Sequence, residues 1–242
     1  MYNHNDILIV GDSFAQDRSH TTDWPMALTK MLTGSDQNPN GVGIGGTSWW
    51  TVRKYLVQNL DKLVPKILII CHTEAGRLPS DKDIGLTPSM VLEQKYNPNS
   101  WRWTKEEFDA SAMYYTHLMS DDFHNWSRTQ WFNELDKLTA SVPIVIHLHC
   151  FEQYEPKKIG KTIESFTFKQ GITSVEVLFN LQKIGMGTKP IKWQIESLGF
   201  RNHFSPENNV KIARALYRTI TNFDPAKNGT KQHLDLLDQD EK

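Results

Sequence analysis

Ser13 and His203 of this 242-residue chain are residues of types that can together perform nucleophilic catalysis. Ser13 ends the run Gly11-Asp12-Ser13, directly after the aliphatic residues 7–10, and His203 stands three residues before Pro206. A serine hydroxyl becomes a strong nucleophile when an imidazole takes its proton, and the pair then attacks acyl carbonyl groups. This chemistry requires a fold that brings the beginning and the end of the chain together.

Acyl transfer also requires N–H groups that stabilise a negatively charged oxygen. The run Gly45-Gly46-Thr47-Ser48 follows a short apolar stretch and precedes a predicted helix. Glycines at such a junction leave backbone N–H groups accessible at the edge of a sheet, as an oxyanion hole needs. An ordinary tight turn between a strand and a helix is the alternative interpretation.

The elements that must position these residues form an alternating pattern. Runs of branched aliphatic residues without polar alternation are typical of strands that are buried on both faces of a parallel sheet. Strands are predicted at 7–10, 42–44, 66–71, 143–148 and 191–195, and helices at 24–32, 48–60, 104–119, 121–138 and 206–221. The helix boundaries follow from capping residues and from proline in the first turn. Such a sheet binds ligands at the carboxyl ends of its strands.

The pattern predicts an α/β fold of three layers, with about five parallel strands and helices on both faces. We expect one domain over residues 1–223, with a helical insertion after the third strand at about 78–140. Residues 224–242 are mostly polar and are predicted to be a disordered tail.

Composition limits the classes of partner. The 27 basic and 28 acidic residues nearly cancel, so charge gives no reason to expect binding to nucleic acid or to a membrane surface. A small molecule or a glycan is the expected ligand, and no cofactor is implied. The two cysteines form no disulfide framework. With no signal peptide recognised, we expect a cytoplasmic protein; release by another route, including a phage or virion origin, stays open, as does the oligomeric state.

These motifs resemble the sequence blocks of the SGNH (GDSL) hydrolases, which are serine esterases and lipases on a flavodoxin-like fold. Gly11-Asp12-Ser13 is similar to the first block, and Gly46 matches the glycine of the second block. His203 matches the histidine before the last helix, so that the resemblance spans about residues 6–220. It implies Ser13 as nucleophile, His203 as base, and the N–H groups of Ser13 and Gly46 as oxyanion donors.

Two positions depart from the family pattern. The third block normally contains Gly-x-Asn-Asp, whereas here Thr73 occupies the asparagine position, where its hydroxyl could donate instead. The family also places an aspartate three residues before the histidine, and here that residue is Phe200. Glu196 upstream or Glu207 downstream could replace the acid, or a backbone carbonyl could orient His203 in a Ser-His dyad. A third possibility is a site that no longer catalyses.

Hydrolysis of a short acyl ester, including an O-acetyl group on a carbohydrate, is the leading hypothesis. A fold with an inactive site that binds a glycan or serves as a structural module is one alternative, and a metal hydrolase using His72, His147 and His149 is another. Tryptophans 101, 103, 126 and 131 could stack on sugar rings or form a small core. The candidate substrate contacts are Asp12, Trp49, Glu74, Arg77, His147, His149 and Asn202. For the histidines, burial in the core is the competing interpretation.

Overall fold

A computed structural model describes residues 2–16, 23–73, 76–88, 91–92, 96, 98, 103–149, 163–166 and 206–222. Within these ranges, five strands form one sheet in which every pairing is parallel. The strands are β1 (Ile7–Gly11), β2 (Asn40–Gly43), β3 (Ile67–His72), β4 (Ile144–His149) and β5 (Ile163–Phe166). Their order, β2-β1-β3-β4-β5, is that of flavodoxin-like folds. The predicted α/β class and parallel sheet are confirmed.

Six described α-helices accompany the sheet. They are α1 (Ser13–Gln16), α2 (Trp24–Thr33), α3 (Trp49–Leu63), α4 (Lys105–Met113), α5 (Asp121–Leu138) and α6 (Pro206–Thr221). A π-helical turn at Tyr114–Leu118 continues α4, where the sequence predicts an unbroken helix. The predicted strand at 191–195 and the predicted tail at 224–242 lie outside the described residues.

Alternate residues of each central strand face opposite layers of helices. Ile7 and Ile9 of β1 pack with α2 and α6, whereas Leu8 and Val10 pack with α3 and α5. All four of these side chains are fully buried, as their unbroken aliphatic run predicts. The two apolar clusters therefore fix the sheet between two helical layers, and this arrangement sets the level at which the strands end.

The segment between β3 and β4 has two parts. Residues 78–86 form a short antiparallel turn, and its Ile84 and Leu86 pack with Tyr115 in a small third cluster. The later helix α5 packs directly on the sheet through Trp131 and Leu135. The domain boundaries, including the insertion at 78–140, stay a prediction.

The carboxyl ends of parallel strands meet at one edge of a sheet. Ser13 follows β1, the glycine run follows β2 and Thr73 follows β3 at this edge. None of the described helices is long and apolar enough to span a membrane.

Candidate active site

The turn after β1 exposes part of Ser13 while its neighbours are buried. Gly11 adopts φ of 156°, and a side chain there would overlap Cys71 of β3. The Asp12 carboxylate accepts the N–H of Phe14 at 3.1 Å, which closes the turn into α1. Ser13 is thereby held at the first position of α1, at the edge where parallel sheets bind ligands.

The glycine run lies against this turn. The N–H of Ile44 donates to the carbonyl oxygen of Gly11 at 3.2 Å, so that the run begins beside the end of β1. Gly46 has φ of 80°, a left-handed conformation that suits glycine. A Cβ atom built at Gly45 would lie 3.8 Å from the Cβ of Ser13. The structure thus brings the predicted nucleophile and the predicted oxyanion loop together.

Asp12 and Arg77 form a buried ion pair behind the turn. Arg77 Nη1 lies 3.4 Å from Asp12 Oδ2, and their side chains are 8% and 0% exposed. The same nitrogen donates to the carbonyl oxygen of Thr47 at 2.8 Å. Both residues were predicted as substrate contacts. Their charged groups instead bond within the protein, and a direct contact with substrate stays a prediction. Thr73, the candidate third donor, is also buried.

His72 and His147 occupy the neighbouring strand ends. His72 Nε2 and His147 Nδ1 are 2.7 Å apart and share a hydrogen bond. Phe132 of α5 lies against them, with its ring centre 4.9 Å from that of His72. Burial lowers the pKa of His147 to about 4, because a charged imidazole would lose its hydration there. His147 was predicted either to contact substrate or to be buried in the core, and the structure places it in the core.

The described residues contain no group of three histidine, cysteine, aspartate or glutamate side chains placed to hold a metal ion. The metal-hydrolase alternative used His147 and His149 together with His72. Two of these side chains are joined by their own hydrogen bond, and the side chain of His149 lies outside the described residues.

Three tryptophans of the predicted sugar platform are described and lie in different surroundings, whereas Trp101 lies outside the described residues. Trp131 lies in the core under α3, where Trp49 stacks on it with ring centres 6.0 Å apart. Trp103 belongs to the small third cluster. Trp126 is exposed and stacks on Phe123, with ring centres 6.1 Å apart. Trp49 itself is partly exposed at the start of α3.

Four predicted participants lie outside the described residues, as does Phe200: they are Glu74, Glu196, Asn202 and His203. The helix that follows them, α6, is placed. Asn209 in its first turns accepts the N–H of Trp24 at 3.2 Å. The Trp24 indole then donates to the carbonyl oxygen of Phe14 at 2.7 Å. The beginning of α6 is therefore connected to the residue that follows Ser13.

The turn at 82–85 supports the glycine run, a contact that was not evident from the sequence. The N–H of Gly85 donates to the carbonyl oxygen of Gly46 at 2.7 Å. The Thr47 hydroxyl donates to the carbonyl oxygen of Asp83 at 2.8 Å. Both acceptors are backbone groups, so no residue type marks this contact in the sequence. The glycine run is consequently hydrogen bonded to the end of β1 on one side and to the turn at 82–85 on the other.

Comparison with known proteins gives little beyond this geometry. No protein-family model matches the chain, and no curated protein matches it. One solved structure, described as an acetyl xylan esterase, AlAXEase, is similar over 88% of this chain and 99% of that chain. The identity is 13% and the TM-score is 0.42, so this similarity carries no argument about function.

Proposed function

We propose that this chain is a serine esterase that hydrolyses short acyl esters, with O-acetyl groups on carbohydrate as the favoured substrate class. The observation that carries the proposal is that Ser13 and the glycine run are adjacent, since a Cβ atom added at Gly45 would be in van der Waals contact with the Cβ of Ser13. Ser13 is partly exposed, so a substrate carbonyl can approach it from solvent. The resemblance to the SGNH blocks supplies the roles of the residues.

In the proposed reaction, the Ser13 hydroxyl oxygen bonds to the ester carbonyl carbon while His203 takes its proton. The carbonyl oxygen becomes negative and is held by the N–H groups of Ser13 and Gly46, with the Thr73 hydroxyl as a third donor. His203 then gives its proton to the departing alcohol as the ester C–O bond breaks. Water then attacks the acyl group on Ser13 while His203 takes a proton from it. His203 returns this proton to the Ser13 oxygen as the acyl–oxygen bond breaks, which releases the carboxylic acid product and restores Ser13.

The proposal needs a group that orients His203, since Phe200 stands where the family has aspartate. We assign this role to Glu196, the nearest carboxylate upstream in the sequence. Two hydrogen bonds connect the helix after His203 to the serine turn, one between Asn209 and Trp24 and one between Trp24 and Phe14. The chain between residues 203 and 206 reaches at most about 10 Å, which limits how far His203 can lie from the start of α6.

A short acyl group is favoured because the sequence contains no long apolar lid of the kind that lipases use. Carbohydrate as the alcohol side is supported by exposed aromatic rings. Phe123 and Trp126 stack on each other on α5 and are 56% and 59% exposed. Aromatic faces of this kind offer a large, rigid contact area to an apolar ring face.

The test is turnover of 4-nitrophenyl acetate by the full chain and by Ser13→Ala. We expect the substitution to reduce kcat by at least about 10⁴-fold, because the covalent route is removed. Ser35→Ala is the matched control, since Ser35 is partly exposed like Ser13 but lies in a different turn. Unchanged turnover in Ser13→Ala would refute the proposal.

A glycan-binding module with an inactive site is the second candidate. Phe200 and Thr73 favour it, since loss of the triad acid can reduce turnover by about 10⁴-fold and loss of an oxyanion donor by about 10²-fold or more. Binding of an acetylated oligosaccharide without any release of acetate would support this candidate over the enzyme.

A further inference from the structure

Arg77 is carried by a turn whose position is fixed independently of the serine turn. Leu78 and Leu86 exchange two backbone hydrogen bonds, of 2.9 and 3.2 Å, across the antiparallel turn. Tyr115 of the π-helical turn lies behind them. Its hydroxyl donates to the carbonyl oxygen of Gly76 at 2.8 Å and accepts the N–H of Leu78 at 3.0 Å. The backbone on both sides of Arg77 is therefore anchored to the segment after α4.

From this anchor, the guanidinium reaches both halves of the proposed oxyanion hole. Nη1 donates to the carbonyl oxygen of Thr47, the residue after Gly46, at 2.8 Å. It also lies 3.4 Å from Asp12, the residue before Ser13. The other carboxylate oxygen of Asp12 accepts the N–H of Phe14 at 3.1 Å. One cation thus connects the two backbone stretches that carry the N–H groups of Ser13 and Gly46.

The burial of this pair indicates a role beyond general stability. Two charges in a dry interior lose more hydration than their attraction returns, unless their geometry is good and further hydrogen bonds satisfy them. Apolar residues of similar size often stabilise a fold as well as such a pair does. A planar guanidinium, unlike an ammonium group, presents five N–H donors in fixed directions. This property suits a residue that must hold two backbone segments at a set separation.

We infer that Arg77, together with Asp12, is a positioning residue that fixes the distance between the N–H groups of Ser13 and Gly46. The inference rests on the proposed esterase function. In this role Arg77 acts through its bonds to the carbonyl oxygen of Thr47 and the carboxylate of Asp12, rather than on the reacting atoms. A displacement of about 1 Å in such a site can reduce the rate by about 10²-fold, because the donors then miss the developing oxyanion.

The experiment compares kcat and KM for 4-nitrophenyl acetate in the full-length chain and in Arg77→Met, Arg77→Lys and Asp12→Asn. We expect Arg77→Met to reduce kcat by about 10²-fold and to change KM less than about threefold. Arg77→Lys should recover part of the loss, since it keeps the charge without the planar geometry. Arg53→Met is the matched control. Arg53 also makes an ion pair, with Glu134 at 2.5 Å, but that pair joins α3 to α5.

Each outcome decides between the explanations. A kcat for Arg77→Met within threefold of the unsubstituted chain, or an equal loss in Arg53→Met, would overturn the inference while the esterase proposal stands. Unfolding of all three site variants would also overturn it, because the pair would then support the whole fold. If the unsubstituted chain neither turns over the ester nor reacts with a fluorophosphonate, the proposed function fails and the inference falls with it.

Discussion

At the carboxyl edge of the sheet, the ends of β1 and β2 differ from the ends of β3 and β4 in exposure and in the groups they carry. After β1 and β2, the chain forms a partly exposed serine turn and a glycine run whose backbone is close to it. Toward the ends of β3 and β4, the imidazoles of His72 and His147 are buried and share a hydrogen bond of 2.7 Å. Both places carry residue types that occur in catalytic sites.

The difference shows that residue type alone does not make a catalytic site. A general base must reach a proton and change its charge near the working pH. Burial holds the pKa of His147 at about 4, so this ring stays neutral at pH 7 and is covered by Phe132 of α5. Ser13, in contrast, is accessible and lies beside backbone that can supply N–H donors.

The largest difference in activity is expected between substitutions of His203 and of His147. His203→Ala should reduce kcat for 4-nitrophenyl acetate by about 10³- to 10⁴-fold, because the variant lacks the proposed base for the Ser13 proton. His147→Gln should leave kcat within about twofold, since the amide can still hydrogen bond with His72. Steady-state kinetics at pH 7.5 measures both. The reverse result would move the catalytic base to the His72 side of the sheet.

A smaller effect is expected from the glycine run. Gly46→Ala should reduce kcat by about 10²-fold, since alanine disfavours the φ of 80° and shifts the proposed oxyanion donor. Gly34→Ala is a close control. Gly34 has φ of 75° at the end of α2, with no atom near an added Cβ. Both variants should lose about 1 kcal/mol of stability in urea unfolding. Equal kcat values in Gly46→Ala and Gly34→Ala would show that Gly46 has no specific role in catalysis.

The smallest effect concerns acid stability rather than turnover. The pKa of His147 is lowered by burial from 6.5 to about 4, so the unfolded chain binds a proton that the folded chain excludes. Stability from this group is complete above about pH 6.5 and is lost as the pH falls toward about 4. The loss approaches about 3 kcal/mol.

Urea unfolding between pH 7.5 and 4.5 measures this loss in the unsubstituted chain and in His147→Gln. As the pH is lowered, the free energy of unfolding should decrease less steeply in His147→Gln than in the unsubstituted chain. The exposed His117 provides the control, and His117→Gln should follow the unsubstituted chain. Parallel curves for all three proteins would show that His147 binds its proton equally in the folded and unfolded chain.

Much of the fold followed from local signals. The helix predicted at 121–138 is α5, and the helix predicted at 206–221 is α6, because capping residues and proline mark their ends. The central strands were recognisable from unbroken aliphatic runs. β5 was not predicted, since Ile163-Glu164-Ser165-Phe166 has neither an aliphatic run nor clear alternation.

The site was less predictable because its contacts join distant segments. Ser13 and Gly46 were marked by residue type, but the Arg77 bonds to Asp12 and Thr47 depend on where the 78–86 turn lies. The pairing of His72 with His147 required the register of β3 and β4, in which Ile70 is opposite His147. Such backbone and register contacts leave no pattern in a single sequence.

The most direct measurement of the central claim is the position of a covalent fluorophosphonate adduct. The full-length chain is treated with the reagent, digested and sequenced by mass spectrometry. An activated serine reacts because an adjacent base removes its proton and an oxyanion hole stabilises the adduct. We expect one modified residue, Ser13, and no label in Ser13→Ala. An unlabelled chain, or a label on another serine, would contradict it.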